Sequence, residues 1–169
     1  MITLATLASP IGPLTLAARD ERVCLLHFGP ETRAIRTWLT RWYPDHDIAK
    51  DAVPAGAATA LASYFRGDVH VLDRIAVEMN GTPFQRRVWE ALRRVRAGTT
   101  VAYSDIARTI RAPAAVRAVG AANGANPVAV IVPCHRIIGS TGTLTGYGGG
   151  LERKEWLLRH EGVRTSLFE

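Results

Sequence analysis

Asn80-Gly81-Thr82-Pro83 separates two stretches of the 169-residue sequence that differ in pattern and in charge. Before it, short apolar stretches alternate with turn residues, which is typical of strands connected by tight turns. After it, apolar residues recur at helical spacing, starting behind a Thr that can cap a helix and a Pro suited to its first turn. We therefore expect an α+β protein with two domains, residues 1–79 and residues 80–169.

The first stretch predicts a small α/β domain. Short apolar, β-prone stretches bounded by turn residues predict strands, and apolar residues at helical spacing predict helices. The expected strands are 2–7, 14–18, 23–28 and 70–78, and the expected helices are 31–43 and 55–65.

The second stretch predicts mostly helices, at 84–95, 104–110, 113–123 and 152–160, with Ser104 as one N-cap. Residues 128–132 are expected to form a buried strand or extended segment. The two short helices 104–110 and 113–123 have the outline of a helix-turn-helix. The second of them carries mostly Ala and Gly, with Arg117 as its single long polar side chain, so it can approach a partner closely. The alternative is a buried Ala-rich helix.

Charge is distributed unevenly between the two stretches. Residues 1–79 contain 8 basic and 9 acidic side chains, whereas residues 80–169 contain 13 basic and 6 acidic ones. A basic second domain favours a polyanion such as nucleic acid as its partner. Solubility, combined with a genome rich in Arg codons, is the competing explanation.

Composition excludes several classes of protein. With 47% apolar and 21% charged residues, the chain can form a packed core. No apolar run approaches the roughly 18 to 20 residues that span a bilayer, and the first residues lack the pattern of a signal peptide. The two cysteines, Cys24 and Cys134, are expected to be free thiols of a cytoplasmic protein without membrane contact.

Pro133-Cys134-His135-Arg136 is the strongest chemical signal in the sequence, because it follows an apolar run and precedes a Gly-rich loop. A thiol reacts as the thiolate, and a neighbouring His can take its proton, here through a water. A carboxylate would complete the relay, and Glu152, Glu155 and Glu161 are all candidates. A buried, inert cysteine is the alternative.

A metal site is not expected. Cys24 and His27 are three residues apart, but no second pair completes a set of four ligands. Cys24 is more simply explained as a small apolar residue in a strand. The sequence also lacks dinucleotide and phosphate-loop fingerprints, so no cofactor is expected.

Several segments together resemble the O6-alkylguanine-DNA alkyltransferases, also called methylated-DNA–protein-cysteine methyltransferases. The central one is Ile-Val-Pro-Cys-His-Arg-Ile-Ile-Gly at 131–139. The matching segments cover most of residues 80–163, and the hairpin at 9–14 is also similar. The others are 84–89, 115–123, 126–127, 145–150 and 154–162.

The resemblance implies an RNase H-like first domain as structural support and a winged-helix-like second domain that binds DNA and transfers the alkyl group. It implies direct DNA repair, in which O6-alkylguanine or O4-alkylthymine is flipped out of the duplex and its alkyl group moves irreversibly to Cys134. The partner would be double-stranded DNA, bound through the minor groove. We expect a monomer, with cooperative assembly on DNA as an open alternative.

The resemblance also assigns catalytic roles. Cys134 is the acceptor, His135 is the base acting through water, and Glu161 orients His135. Asn126 holds the turn between the helix expected at 113–123, which is the recognition helix, and the segment 131–139 that contains Cys134. Tyr103 presses on the phosphate of the target nucleotide and offsets charge on the guanine.

The same resemblance assigns the DNA interface and the base pocket. Arg117 would enter the stack in place of the flipped base. Small residues would lie in the minor groove, and further polar residues would contact DNA. The expected DNA contacts besides Arg117 and Tyr103 are Ser104, Ala114, Ala115, Gly120, Ser140 and Gln85, and the expected pocket residues are Tyr147, Gly148 and Ile137.

Two other functions fit parts of the pattern. A lesion-binding protein of the alkyltransferase-like type would lack the cysteine, so Cys134 argues against it. A cysteine hydrolase of unrelated fold would need a separate oxyanion hole, and it would leave Arg117 and the Ala-rich helix without a role.

Overall fold

The computed structural model describes residues 1–164, which form two compact units. The first comprises residues 1–80 together with the separate segment 127–129. The second comprises residues 81–126 and, among the residues described, 130–164. Both contain helices and strands, as expected for a two-domain α+β protein.

A four-stranded sheet with strand order β3-β2-β1-β4 forms the centre of the first unit. β1 pairs antiparallel with β2 and parallel with β4, and β2 pairs antiparallel with β3. The strands are β1 (Ile2–Leu7), β2 (Leu14–Arg19), β3 (Arg22–Phe28) and β4 (Ile48–Lys50), and the helices are α1 (Arg33–Trp42) and α2 (Ala55–Phe65).

Helix α1 packs an apolar stripe against the sheet. The Thr32 side chain caps it by accepting a hydrogen bond from the Ile35 amide at 3.3 Å. Ile35 and Leu39 are buried in the same cluster as Ile2 and Cys24. The predicted helix and the first three strands are therefore present, with ends shifted by one or two residues.

Two features of the first unit differ from the sequence prediction. Residues 70–78 were expected to form a strand, but Val71–Arg74 is a 3-10 helix that buries only Leu72. Within that stretch, Val77 alone forms a strand-like bridge, to Val23. The three-residue strand β4 was not predicted because so short a segment carries no detectable alternation.

The second unit contains four helices and a pair of two-residue strands within the described residues. β5 and β6 pair in parallel through Val101 with Ile137 and Ala102 with Ile138. A 3-10 turn at Cys134–Arg136 leads directly into β6. The elements are α3 (Pro83–Leu92), β5 (Val101–Ala102), α4 (Tyr103–Thr109), α5 (Val116–Gly124), β6 (Ile137–Ile138) and α6 (Leu151–His160).

Local signals explain where these helices begin. Thr82 and Gln85 form a capping box at the start of α3, with Pro83 in its first turn, as the sequence predicted. Helix α4 begins at Tyr103, because the Asp105 carboxylate accepts a hydrogen bond from the Ala102 amide at 2.8 Å. The prediction of Ser104 as the N-cap was therefore wrong.

The connection between α4 and α5 is longer than predicted. Arg111 adopts a left-handed conformation with φ of 59°, and α5 begins at Val116 instead of residue 113. Residues 128–132 are buried but form no regular strand, because Val130 also has positive φ. Among residues 1–164, no helix is long and apolar enough to cross a membrane.

Candidate active site

Two asparagines hold the backbone around Cys134. The side-chain Nδ2 of Asn126 donates to the Val132 carbonyl at 2.8 Å, and the side-chain Nδ2 of Asn123 donates to the Cys134 carbonyl at 3.5 Å. The Cys134 amide donates to the Val132 carbonyl at 2.8 Å, which tightens the turn. The Cys134 residue is only 6% exposed, so the thiol is presented from a fixed and largely dry position.

Glu161 joins His135 and Arg136 in one buried network. Its Oε1 lies 2.8 Å from His135 Nε2 and accepts from Arg136 Nη2 at 2.8 Å, while its Oε2 accepts from Arg136 Nε at 2.9 Å. Arg136 Nη1 also donates to the Val95 carbonyl at 2.7 Å. All three side chains are buried, and the network fixes the imidazole beside the thiol-bearing turn.

The structure distinguishes among the three carboxylates that the sequence left open. Glu155 forms an ion pair with Arg159 on the surface of α6, and Glu152 is exposed. Glu161 follows the last residue of α6, where its amide donates to the Leu157 carbonyl. Arg136 was not predicted to share this carboxylate, although its place in Cys134-His135-Arg136 was a usable signal.

The buried network sets the protonation of its members. Burial raises the pKa of Glu161, but the adjoining His135 ring and the Arg136 guanidinium outweigh burial and hold that pKa below its usual range. Burial lowers the pKa of His135 despite the facing carboxylate. A neutral His135 that donates from Nε2 to Glu161 leaves Nδ1 as a proton acceptor, and this buried atom has no hydrogen-bond partner within residues 1–164.

Polar groups around Cys134 counteract part of the cost of ionising it. Burial raises the pKa of the Cys134 thiol, while the side chains of Asn126 and Tyr147 and the charge of Lys154 lower it. Burial in turn lowers the pKa of Lys154 to about 8, and the Cys134 thiolate opposes that shift. Lys154, whose role the sequence did not reveal, is fully buried with Nζ 6.0 Å from the Tyr147 ring centroid.

Thr145 connects Tyr103 with Lys154. Its hydroxyl lies 2.8 Å from the Tyr103 hydroxyl, and its carbonyl accepts from Lys154 Nζ at 3.2 Å. A methyl group at Gly120 would lie 3.8 Å from the Tyr103 ring, so α5 passes close to this tyrosine. Thr145 is a second residue that the sequence did not single out.

The remaining residues expected at the DNA interface occupy varied environments. Arg117 is exposed on α5, and its guanidinium has no hydrogen bond or ion pair among the residues described. The Gln85 side-chain oxygen accepts from the Thr82 amide at 2.9 Å, so part of this side chain is already used in the helix cap. Ala114, Ser140 and Gly148 are exposed, Ser104, Ala115, Gly120 and Tyr147 are half-buried, and Ile137 is buried in β6.

Cys24 lies in the first unit, where its surroundings do not activate the thiol. It is fully buried in β3, and burial raises the pKa of its thiol to about 11, despite a hydrogen bond to Tyr43. Within residues 1–164, no three His, Cys, Asp or Glu side chains cluster closely enough to hold a metal ion.

Two family models together cover almost the whole chain. Residues 2–79 match the ribonuclease-like domain of 6-O-methylguanine DNA methyltransferase, and residues 83–163 match the DNA binding domain of the same family. The two matched regions account for both units of a two-domain alkyltransferase. The chain belongs to the 6-O-methylguanine DNA methyltransferase family.

Individual relatives agree with this assignment. A methylated-DNA–protein-cysteine methyltransferase of Salmonella typhimurium is 43% identical over 92% of this chain and 93% of its own. One of Mycobacterium bovis is 46% identical over 97% of this chain and 94% of its own. The crystal structure of the O6-methylguanine methyltransferase of Mycobacterium tuberculosis matches with a TM-score of 0.78 and 41% identity, covering 100% of both chains.

A second crystal structure from Mycobacterium tuberculosis contains DNA. It matches with a TM-score of 0.79 and 40% identity, covering 99% of each chain.

Proposed function

We propose that this protein repairs DNA directly, by moving the alkyl group of O6-alkylguanine in double-stranded DNA onto Cys134. The observation that carries the proposal is the buried Cys134 turn, which adjoins the His135–Glu161–Arg136 network in a member of the methyltransferase family. The names of the relatives, and the DNA in one related structure, support the same reaction class.

The transfer is an in-line displacement. Cys134 Sγ forms a bond to the alkyl carbon as the bond between that carbon and guanine O6 breaks, and the electron pair stays on the guanine. His135 Nδ1 takes the thiol proton through a water, and Glu161 and Arg136 hold the ring in the required orientation. The Tyr103 hydroxyl offsets the charge that develops on the leaving guanine.

The resting thiol is neutral, and deprotonation accompanies the reaction. Burial keeps the pKa of Cys134 above its ordinary value, so few free molecules carry a thiolate. Asn126, Tyr147 and the Lys154 charge stabilise the thiolate once it forms. The thioether product has no route back to the thiol, so each molecule reacts once, without a cofactor.

DNA recognition is assigned to α4, α5 and the loops beside Cys134. Arg117 fills the space of the flipped base, while Ala114, Ala115 and Gly120 allow close approach in the minor groove. Ser104, Ser140 and Gln85 contact the strand. Tyr147, Gly148 and Ile137 line the base pocket, where main-chain groups of Cys134 and Ile137 meet the guanine edge.

The two parts of the chain have separate roles in the proposed function. Residues 80–169 bind DNA and transfer the alkyl group, and residues 1–79 act as structural support. We infer that the protein acts as a monomer in the cytoplasm, where both of its thiols stay reduced. Cooperative assembly on DNA is a separate property that a titration with long duplexes would detect.

Intact-protein mass spectrometry tests the reaction. Equimolar protein and an O6-methylguanine duplex should add one methylene mass per protein, located on Cys134. Cys24→Ser should react like the wild type, because Cys24 is buried in the first unit, whereas Cys134→Ser should gain no mass. Binding without any mass gain in the wild type would indicate a lesion-binding protein, and turnover on esters or amides would indicate a hydrolase.

A further inference from the structure

A groove runs along α3 in the second unit, outside the alkyl-transfer site. It consists of two adjoining clefts of about 210 and 340 Å³ that share Ala91, Arg94 and Thr109. One wall is formed by α3 and the residues that follow it. The other wall is formed by α4 and the residues immediately before and after it. The charged side chains of the lining are Arg87, Glu90, Arg94, Arg96, Asp105 and Arg111.

Three of the four arginines of this groove have no side-chain partner among residues 1–164. All four are exposed. Arg87 donates to the Ile110 carbonyl at the end of α4, which fixes one guanidinium across the groove. Among residues 1–164, the guanidinium groups of Arg94, Arg96 and Arg111 make no hydrogen bond and no ion pair.

The acidic side chains of the groove do not balance this charge. Asp105 is already engaged with the Ala102 amide and with Arg108. Glu90 is therefore the one carboxylate left to face four guanidinium groups. Arg108, which pairs with this same Asp105, and Arg159 on α6 are exposed arginines of the same unit that each have a carboxylate partner.

An unbalanced row of arginines suits one kind of ligand. Like charges on facing walls repel one another, and a bound polyanion removes that cost. The planar guanidinium matches the oxygens of a phosphate, and a row of them follows a chain of phosphates better than a single small anion.

We propose that this arginine groove binds the phosphodiester backbone of DNA, as a contact surface additional to α5. Arg111 lies in the connection between α4 and α5, so one end of the groove adjoins the start of the recognition helix. The groove therefore holds phosphates beyond those that α5 contacts. The proposal rests on the proposed function only in taking DNA as the partner.

Affinity for an undamaged duplex at several salt concentrations tests the groove without requiring any repair. In the full-length chain, Arg94→Gln with Arg111→Gln should weaken binding about tenfold at 0.1 M salt and reduce the slope of log K against log salt by about two. Arg36→Gln with Arg159→Gln removes the same formal charge from two exposed sites whose partners, Glu31 and Glu155, do not line the groove, and it should change the affinity less than about twofold. Glu90→Gln should strengthen binding severalfold.

Equal weakening by the two double variants would show that only net charge matters, and unchanged binding by Arg94→Gln with Arg111→Gln would show that DNA does not enter the groove. Either result overturns the proposal. The double variant Arg94→Lys with Arg111→Lys keeps both charges and should retain most of the salt dependence. It therefore distinguishes the loss of charge from a folding defect caused by replacing these two arginines. Alkyl transfer from a free O6-alkylguanine base should be unaffected in every groove variant, so failure of the repair reaction itself would appear separately.

Discussion

Glu161 is the residue on which both the stability and the chemistry of the site depend. Glu161→Gln leaves the buried Arg136 guanidinium without its counter-charge and should destabilise the protein by about 3 kcal/mol. It should also slow alkyl transfer about 100-fold, because the neutral Gln oxygen is a weaker acceptor for the His135 ring and offers no counter-charge to the imidazolium that forms.

Urea denaturation and single-turnover mass spectrometry measure these two effects. Glu155→Gln is the matched control, since it breaks an exposed ion pair on α6 and should change stability by less than about 1 kcal/mol. Similar losses of stability and of transfer rate in both variants would contradict a special role for the buried network.

Lys154 is expected to supply the positive charge that favours the Cys134 thiolate. With a pKa of about 8, its ammonium group loses charge above that pH. The rate of reaction with a free O6-alkylguanine base should rise with pH as the thiolate forms, and it should rise less steeply above pH 8. Lys154→Gln should slow the reaction about tenfold at pH 7, which corresponds to one pKa unit, and should abolish this break.

The only other lysine, Lys50, is exposed on β4, and Lys50→Gln serves as the control. A break at pH 8 that persists in Lys154→Gln would assign the titration to another group.

At the scale of elements, the Gly-rich loop reaches α4 through the contact of Thr145 with Tyr103. Thr145→Val removes the hydroxyl but keeps the shape, so the Tyr103 hydroxyl loses its partner. Repair of a duplex should slow about fivefold, consistent with a hydrogen bond worth about 1 kcal/mol. Thr145→Ser should restore the rate, and equal rates in all three proteins would mean that the contact is incidental.

Helix α5 should matter for duplex DNA and hardly at all for a free base. Arg117→Ala removes the side chain that we propose to replace the flipped nucleotide, an exchange worth a few kcal/mol, so duplex repair should fall about 100-fold. Reaction of the same variant with a free O6-alkylguanine base should stay within about twofold of the wild type, because no base is flipped. Parallel losses with both substrates would contradict the role of Arg117 in the stack.

Element boundaries also show what the sequence could reveal. Thr82-Pro83 marks the start of α3 correctly because a helix cap depends on residues only three apart. Residues 70–78 were predicted wrongly because a short stretch rich in apolar residues can also form a 3-10 turn that buries one side chain, Leu72.

The candidate site follows the same logic. Cys134 and His135 are recognisable because they are adjacent, whereas the choice of Glu161 over Glu152 and Glu155 depends on how α6 packs near the cysteine turn. Lys154 and Thr145 were missed because their contacts involve residues distant in sequence.

At the scale of the whole molecule, the buried network should make the fold sensitive to acid. The pKa values of His135 and Glu161 are both lower in the folded protein than in an unfolded chain. Each group therefore stabilises the fold above its unfolded pKa, and that stability is lost as the pH falls. The loss should begin near pH 6.5 for His135 and near pH 4.3 for Glu161.

Urea midpoints between pH 8 and pH 5 measure the first part of this loss. Wild-type stability should decrease by up to roughly 1 kcal/mol per pH unit below pH 6.5, and His135→Asn should flatten the curve. His27→Asn, at an exposed position, should leave it unchanged. A curve of the same slope in His135→Asn would show that other groups cause the acid sensitivity.

Pro127–Ala129, which belongs to the first unit, has a consequence for the order in which the chain folds during synthesis. The Leu26 amide donates to the Pro127 carbonyl, and the Ala129 amide donates back to the Leu26 carbonyl. These partners are about a hundred positions apart in sequence, which makes the contact a slow one to form. A ribosome therefore releases the first strands long before their last hydrogen-bonding neighbour. Val23 on this edge of β3 can pair once residues 76–78 emerge, but Leu26 stays unpaired there until residue 129 follows.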